Sequence, residues 1–160
     1  IGHTCLVDHG RPCPCGLQGC LEAYVAAAGI VQTARELMDE CDTPSLMRDS
    51  AELTPRLIAG YCEQGDRLAI EVYQRTGYWL GLGLATYASI VNPEAIILTG
   101  GISHAGRWLY EPAAESFESH IFINMRHKVK FLFSELDDRE RDVLGASALA
   151  WEVPEYSLFK

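Results

Sequence analysis

The chain has 160 residues, of which 48% are hydrophobic and 22% are charged, a composition typical of one globular domain. Its formal net charge of −9 argues against binding to nucleic acid phosphates or anionic lipid headgroups, because both depend on Lys and Arg. No apolar run is long enough to span a bilayer and no segment resembles a signal peptide, so we expect a cytoplasmic protein. The first residue is Ile1 rather than Met, which indicates a fragment of a longer protein.

The first half of the chain is predicted to contain one short strand and three helices. The strand is β-prone, and a loop rich in Gly, Pro and Cys follows it over residues 8–20. The helices are indicated by apolar residues that recur at helical spacing. The predicted bounds are His3–Val7 for the strand and Glu22–Glu40, Ala51–Glu63 and Asp66–Ile90 for the helices.

The last of these helices has an unusual second half. Residues 77–90 carry no charge and include Gly77, Gly81 and Gly83. Each glycine costs about 1 kcal/mol of helix propensity relative to Ala. Such a helix either lies in the core or packs closely against another backbone.

Strands and helices alternate in the second half. Asn92-Pro93 should end the long helix, because Pro disfavours helical geometry in the residue before it. The next segment is a continuous apolar run, as expected for a strand of a parallel sheet. The predicted elements are strand Ala95–Thr99, helix His104–His120, strand Val129–Phe133 and helix Val143–Trp151. This alternation predicts an α/β fold with a mixed sheet.

The cysteines indicate a metal site. Three of the six lie in one loop, and the other three, Cys5, Cys41 and Cys62, lie apart. Clustering in one loop favours a metal over a disulfide framework. With one imidazole, the clustered thiolates make a common tetrahedral zinc set, which leaves no open position for a catalytic water. The predicted ligands of this structural Zn²⁺ are His3, Cys13, Cys15 and Cys20.

A second histidine competes for the same ion. His9 lies inside the loop, only four residues from Cys13. We therefore rank it behind His3.

The cysteine loop and two later segments resemble the ROK family. That family comprises bacterial sugar kinases, sugar-responsive repressors and the N-acetylmannosamine kinase domain of animals. The resemblance spans nearly the whole chain, with the segments in the family's order. The matching residues are Ile1-Gly2-His3, Gly10, Cys13-Pro14-Cys15-Gly16, Gly19-Cys20-Leu21-Glu22-Ala23, residues 90–103 and Leu144-Gly145-Ala146.

The resemblance implies an actin/hexokinase-like (ribonuclease H-like) fold, of which residues 1–160 would form a single C-terminal lobe with a zinc-binding loop. Residues 1–22 would bind zinc and sugar, and residues 90–152 would form the nucleotide side. His3, through its second ring nitrogen, and Glu22 would bind the sugar. The backbone at Gly100, Gly101 and Gly145 would contact ATP. Without the resemblance, Glu22 would be interpreted as a carboxylate stabilised by a helix N-terminus.

The implied function of the complete protein is ATP- and Mg²⁺-dependent phosphorylation of a hexose or N-acetylhexosamine. The family's phosphate-binding Asp-x-Gly-Gly-Thr segment and the Asn-Asp segment with the general base are absent from this chain. We therefore expect no catalytic residue in it and no activity from it alone. The apolar second half of the long helix, with Tyr78, Trp79 and Tyr87, and the resemblance to ROK proteins, which are commonly dimers, predict a homodimer of the complete protein. The alternatives are the sugar-sensing lobe of a ROK-type repressor, which would also bind DNA, and a zinc-stabilised interaction module.

Overall fold

The computed structural model describes residues 1–134 and residues 143, 144, 146 and 147. The described part of the chain contains helices and a short sheet. The helices are α1 (Glu22–Val25), α2 (Ala27–Glu40), α3 (Pro55–Glu63), α4 (Arg67–Val91) and α5 (Arg107–His120). The strands are β1 (Ala95–Leu98) and β2 (Lys130–Phe133), and 3-10 turns occupy Leu46–Asp49, Gly101–Ala105 and Ile123–Met125.

Helix α4 is the central element, and its bounds agree closely with the prediction. Asp66 caps its N-terminus, because its carboxylate accepts hydrogen bonds from the backbone N–H groups of Leu68 and Ala69 at 3.0 and 3.1 Å. Asn92, with φ 47°, ends the helix in the left-handed conformation before Pro93. The buried face of α4 packs against α2 and α3 around a core formed by Ile30, Leu37, Met47, Ile58, Cys62, Val72 and Tyr73.

The glycines of α4 bring its backbone against α5. A Cβ atom added to Gly77 would lie 2.6 Å from Cγ of Pro112. One added to Gly81 would lie 2.3 Å from the carbonyl oxygen of Ala113. No side chain fits at either position, so the predicted close packing against another backbone is confirmed. The partner is a helix of the same chain.

The two predicted strands pair with each other in parallel, with Ala95 opposite Lys130 and Leu98 opposite Phe133. Within the described residues this pair is the whole sheet, and it contains no antiparallel strand. The mixed sheet that we expected is therefore not seen in this part of the chain. The buried character predicted for β1 is also incomplete, since the side chain of Ile97 is 61% exposed.

Two predictions in the N-terminal region were wrong. Residues 3–7 do not form a strand, because their backbone groups bond to the end of the cysteine loop and leave only an isolated bridge between Cys5 and Cys20. The helix predicted over Glu22–Glu40 is divided into α1 and α2 at Ala26, whose ψ of 168° is extended. No Pro marks this break, and its cause lies in contacts described below.

Two helix starts also differ from the prediction. Helix α3 begins at Pro55 rather than Ala51, because the Thr54 hydroxyl accepts a hydrogen bond from the backbone of Leu57 at 3.2 Å. Helix α5 begins at Arg107 rather than His104, after a 3-10 turn that starts at Gly101. Most of the helix predicted over Val143–Trp151 lies outside the described residues. None of the helices that the structure describes could span a membrane.

The close contact between α4 and α5 yields a stability prediction. Gly81→Ala should destabilise the protein by about 1–3 kcal/mol, because the new methyl group must displace the backbone of α5. Gly60→Ala is the matched control, since a Cβ at Gly60 in α3 would meet nothing within 4 Å. That change should stabilise α3 by up to about 1 kcal/mol. Urea unfolding measures both, and equal effects of the two substitutions would contradict the packing described here.

Candidate metal and ligand site

The cysteine loop is folded back on itself by backbone hydrogen bonds rather than by a core of its own. The N–H of Cys13 donates to the carbonyl of Leu17 at 2.9 Å, and the N–H of Gly19 donates to that of Arg11 at 2.8 Å. The base of the loop is closed where the N–H of Leu6 donates to the carbonyl of Gly19 at 2.8 Å. These bonds bring the two ends of the loop beside the N-terminal residues.

Gly19 is the tightest point of this closure. Its φ is 72°, and a Cβ there would lie 1.7 Å from the carbonyl oxygen of Val7. Only glycine fits such a close approach of two backbones. Gly19 thereby permits Cys20, the next residue, to reach the other ligands.

The structure brings the four predicted ligands together. The possible ligand atoms of His3, Cys13, Cys15 and Cys20 all lie within 4.8 Å of one another. Nδ1 of His3 is 3.6 Å from Sγ of Cys13, and Sγ of Cys15 is 3.7 Å from Sγ of Cys20. A tetrahedral zinc ion with bonds of about 2.3 Å to sulfur and 2.0–2.1 Å to nitrogen gives edges of about 3.6 Å (N to S) and 3.8 Å (S to S). The arrangement therefore fits Zn²⁺.

The electrostatics of the cluster also fit a cation. Cys20 is fully buried and Cys13 is 6% exposed. Burial, followed by the sulfurs of Cys15 and Cys13, raises the pKa of Cys20 to about 12. A hydrogen bond from the backbone of Leu17 is the largest of the effects that lower the pKa of Cys15. Thiolates this close repel one another, and a bound dication would remove that repulsion by holding them in the ionised form.

The remaining candidates lie outside the cluster. His9, the competing ligand, is at an exposed turn with φ 53°, where Nε2 is 3.6 Å from a carboxylate oxygen of Asp8. Cys5 is exposed, and Cys62 is buried in the core as a small apolar residue. Burial raises the pKa of Cys62 to about 12, so this thiol stays protonated at neutral pH.

Glu22 lies beside the histidine of the cluster. Nε2 of His3 is 3.4 Å from Oε2 of Glu22, on the side of the ring opposite the nitrogen that faces Cys13. The backbone N–H of Glu22 donates to the carbonyl of Gly2 at 2.9 Å, and a Cβ on Gly2 would lie 3.1 Å from Oε2. Both side chains are about half exposed, so their outer polar atoms remain open to a ligand. Because α1 is a single turn, the helix dipole offers this carboxylate little stabilisation.

Gly100 and Gly101 lie at the end of β1 and the start of the following turn. Gly100 has φ 91°, which favours glycine. Gly101 has no such constraint, and a Cβ there would meet nothing within 4 Å. Packing among the described residues therefore does not explain why position 101 lacks a side chain. Gly145, the third predicted nucleotide contact, lies outside the described residues.

A cavity of about 880 Å³ opens next to Gly101, between α3 and the 3-10 turn. This volume suits a molecule of nucleotide size. Its lining is mostly apolar and carries one guanidinium group and one carboxylate. It includes Pro55, Arg56, Ala59, Glu63, Ile102, Ala105 and Trp108. The sequence predicted the glycines but not the contribution of α3 to this cavity, because the two segments are far apart in the chain.

Arg11 has a structural role that was not predicted from the sequence. Its side chain is only 12% exposed, and its guanidinium group donates hydrogen bonds to the carbonyl oxygens of Ala23 and Gly29, both at 3.1 Å. One signal could have found it, since Arg11 is the only Lys or Arg among residues 1–34. A single cationic side chain in a cysteine-rich loop indicates a specific anionic or carbonyl partner.

Comparison with known proteins gives one consistent family. The model of the family described as "ROK family" matches residues 1–153. A glucokinase from Halalkalibacterium halodurans is 32% identical over 153 residues, which are 93% of this chain and 46% of that protein. The DNA-binding transcriptional dual regulator NagC of Escherichia coli is 33% identical over 150 residues, or 93% of this chain and 36% of that protein. Both an enzyme and a regulator thus match at about one-third identity.

A solved structure shows the same fold. The crystal structure of a ROK family glucokinase from Streptomyces griseus, in complex with glucose and AMPPNP, matches with a TM-score of 0.74 and 29% identity. The match covers 92% of this chain and 49% of that one. The chain spans about half the length of the glucokinases that it matches.

The four-ligand cluster yields a metal prediction. The purified protein should contain about one equivalent of Zn²⁺, measured by elemental analysis. Cys13→Ser should lower the zinc content and destabilise the loop, because structural zinc contributes directly to folding free energy. Cys5→Ser is the control, since Cys5 lies outside the cluster and should keep its zinc. Equal zinc content in the two variants, or a disulfide within the cluster, would contradict the assignment.

Proposed function

The chain belongs to the ROK family, and we propose that it is the C-terminal lobe of an ATP-dependent kinase for a hexose or an N-acetylhexosamine. The main observation behind the proposal is spatial: the imidazole of His3 lies between the cysteine cluster and the carboxylate of Glu22. One ring nitrogen of His3 faces Cys13 at 3.6 Å, and the other faces the Glu22 carboxylate at 3.4 Å. Glucokinases among the relatives support the assignment.

In this proposal His3 and Glu22 bind the sugar. Zn²⁺ held by Nδ1 of His3 and by the three thiolates fixes the proton of the ring on Nε2 and stiffens the loop. Nε2–H can then donate a hydrogen bond to a sugar hydroxyl, while the carboxylate of Glu22 accepts one from a neighbouring hydroxyl. A donor and an acceptor held 3.4 Å apart suit the vicinal hydroxyls of a pyranose.

ATP is proposed to bind at Gly100 and Gly101 and in the cavity beside them. The missing side chain at Gly101 leaves room for a ligand to approach the backbone. The apolar lining between α3 and the 3-10 turn suits a flat base, and Arg56 at its rim offers a positive charge to phosphates. The glucokinase of Streptomyces griseus, crystallised with AMPPNP, supports ATP as the nucleotide.

The chemistry requires a second lobe. The general base that activates the sugar hydroxyl, and the segment that holds the phosphates with Mg²⁺, are assigned to an N-terminal lobe that the present residues do not include. The same proposal divides the chain into a part that binds zinc and sugar (residues 1–22) and a part that binds the nucleotide (residues 90–152). It also includes two further expectations, that the chain alone is inactive and that the protein is cytoplasmic.

A homodimer of the complete protein also remains a prediction. The surface at Gly77 and Gly81 does not support it, because that surface is covered by α5 of the same chain. The remaining support is an exposed apolar surface at the end of α4, where Ile90 is 77% and Val91 68% exposed.

The second candidate is the sugar-sensing lobe of a transcriptional regulator. NagC of Escherichia coli matches the chain at 33% identity, and the glucokinase of Halalkalibacterium halodurans matches it at 32%. A regulator would need His3 and Glu22 but not an open backbone at Gly101. ATP binding by the complete protein, together with the absence of DNA binding, would favour the kinase.

Two substitutions in the complete protein should separate the two halves of the proposed site. Glu22→Gln should lower kcat/KM for the sugar by a factor equivalent to about 1–3 kcal/mol, because an ionised acceptor is lost. It should leave the KM for ATP unchanged. Gly101→Val should raise the KM for ATP and leave sugar affinity unchanged, because its side chain would fill the space beside the cavity. Steady-state kinetics with each substrate varied in turn measures both.

Each variant serves as the control of the other, and thermal unfolding checks that both fold. Normal sugar kinetics for Glu22→Gln would contradict the sugar site. Normal ATP kinetics for Gly101→Val would contradict the nucleotide site.

A further inference from the structure

We propose that Arg11 is a positioning residue for sugar binding, and that it holds the Glu22 carboxylate beside His3 by fastening the cysteine loop to the break between α1 and α2. This inference deepens the proposed function and rests on it. Arg11 has no part in the metal cluster, and its side chain is directed away from it, toward Tyr24, Thr33 and Glu36. Arg11 would act through the backbone on both sides of Ala26, where α1 and α2 are separated.

The break in the helix creates the acceptors that Arg11 uses. Because Ala26 is extended, the carbonyl of Ala23 falls at the end of α1, outside the regular hydrogen-bond pattern of a continuous helix. Nη1 of Arg11 donates to this oxygen and to the carbonyl of Gly29, in each case at 3.1 Å. One nitrogen thereby connects the last turn before the break to the first turn after it. A buried carbonyl without a partner costs about 1–3 kcal/mol, so these bonds stabilise the broken geometry over a straight helix.

The two helices approach each other so closely that only glycine fits between them. A Cβ on Gly29 would lie 2.5 Å from the carbonyl oxygen of Ala23, the same atom that Arg11 binds. The sequence therefore provides both the space for the break and the cation that holds it. This explains why a run of good helix formers, Ala26-Ala27-Ala28, does not continue α1 into α2.

The rest of the side chain is held just as firmly. Nη2 donates to the hydroxyl of Thr33 at 2.9 Å and forms an ion pair with Glu36 on α2. The guanidinium carbon lies 4.7 Å from the centre of the Tyr24 ring on α1. Arginine suits this place because its planar group has several fixed donors, whereas lysine offers a single ammonium group.

The backbone of Arg11 completes the connection to the metal loop. Its N–H donates to the Tyr24 hydroxyl at 2.9 Å, and its carbonyl accepts from the N–H of Gly19 at 2.8 Å. Cys13 follows two residues later, and Glu22 directly precedes Ala23. Arg11 thus fixes the one-turn helix that begins with Glu22 relative to the loop that holds the ligands.

The test compares two arginines of the same kind in the complete protein. Arg48 also binds backbone carbonyls, donating to Met38 and Thr43 at 3.0 Å each, but at the other end of α2. Arg11→Met should raise the KM and the calorimetric Kd for the sugar about tenfold or more, because displacement of a binding group by 1 Å can cost that much. Arg48→Met should leave both unchanged. Zinc content and the KM for ATP should stay normal in both variants.

Two further variants keep the inference falsifiable. Arg11→Lys preserves the charge opposite Glu36, so it should fold even where Arg11→Met does not, and its sugar KM should still be raised. In the double variant Arg11→Met with Glu22→Gln, the loss of affinity should be smaller than the product of the two single losses, because Arg11 acts through Glu22. Sugar affinity in Arg11→Met and Arg11→Lys equal to that of Arg48→Met, or independent effects in the double variant, would overturn the inference.

The results also distinguish a failure of the proposed sugar site from a failure of the role assigned to Arg11. If Glu22→Gln alone binds sugar normally, the proposed function is wrong. If Glu22→Gln loses affinity and the Arg11 variants do not, only the inference is wrong.

Discussion

The convergence of one imidazole and three sulfurs within 4.8 Å is the constraint on which the rest of the site depends. The loop that carries them has no hydrophobic core, and its backbone is closed only by a few hydrogen bonds. Three thiols at this spacing can all ionise only if a cation offsets their repulsion. A bound metal would therefore supply the cohesion that apolar packing supplies in the helical part of the chain.

The positions of the His3 and Glu22 side chains follow from that constraint. The imidazole of His3 is held between the cysteine cluster and the carboxylate of Glu22, so a shift of the loop would move both polar groups at once. Arg11 gives the same region a second attachment, from the loop to α1 and α2. In the middle of the chain, helix α4 packs against α5 and is followed by β1. Gly100 and Gly101 lie just after that strand.

Much of this could be predicted from local sequence. The clustering of His3 with the three cysteines was predicted because Cys and His at short spacing have few other uses. Helix α4 was predicted because Asp66 and Asn92-Pro93 mark its ends. The break at Ala26 could not be predicted, because the residues around it favour a helix and the guanidinium group bound to the carbonyl oxygens on both sides of it belongs to Arg11, 12 residues before Ala23. The strand expected at residues 3–7 failed for a similar reason, since its hydrogen-bonding groups are used by the returning loop. Long-range contacts overrode local preference at both places.

X-ray absorption at the zinc edge of the purified protein tests the central claim most directly. The account predicts three sulfur atoms at about 2.3 Å and one nitrogen at about 2.0–2.1 Å around each zinc ion. The nitrogen should disappear from this shell in His3→Ala, and the sulfur count should stay at three. A shell of oxygen ligands, a sulfur count that does not match the three cysteines, or a protein that binds no zinc would contradict it.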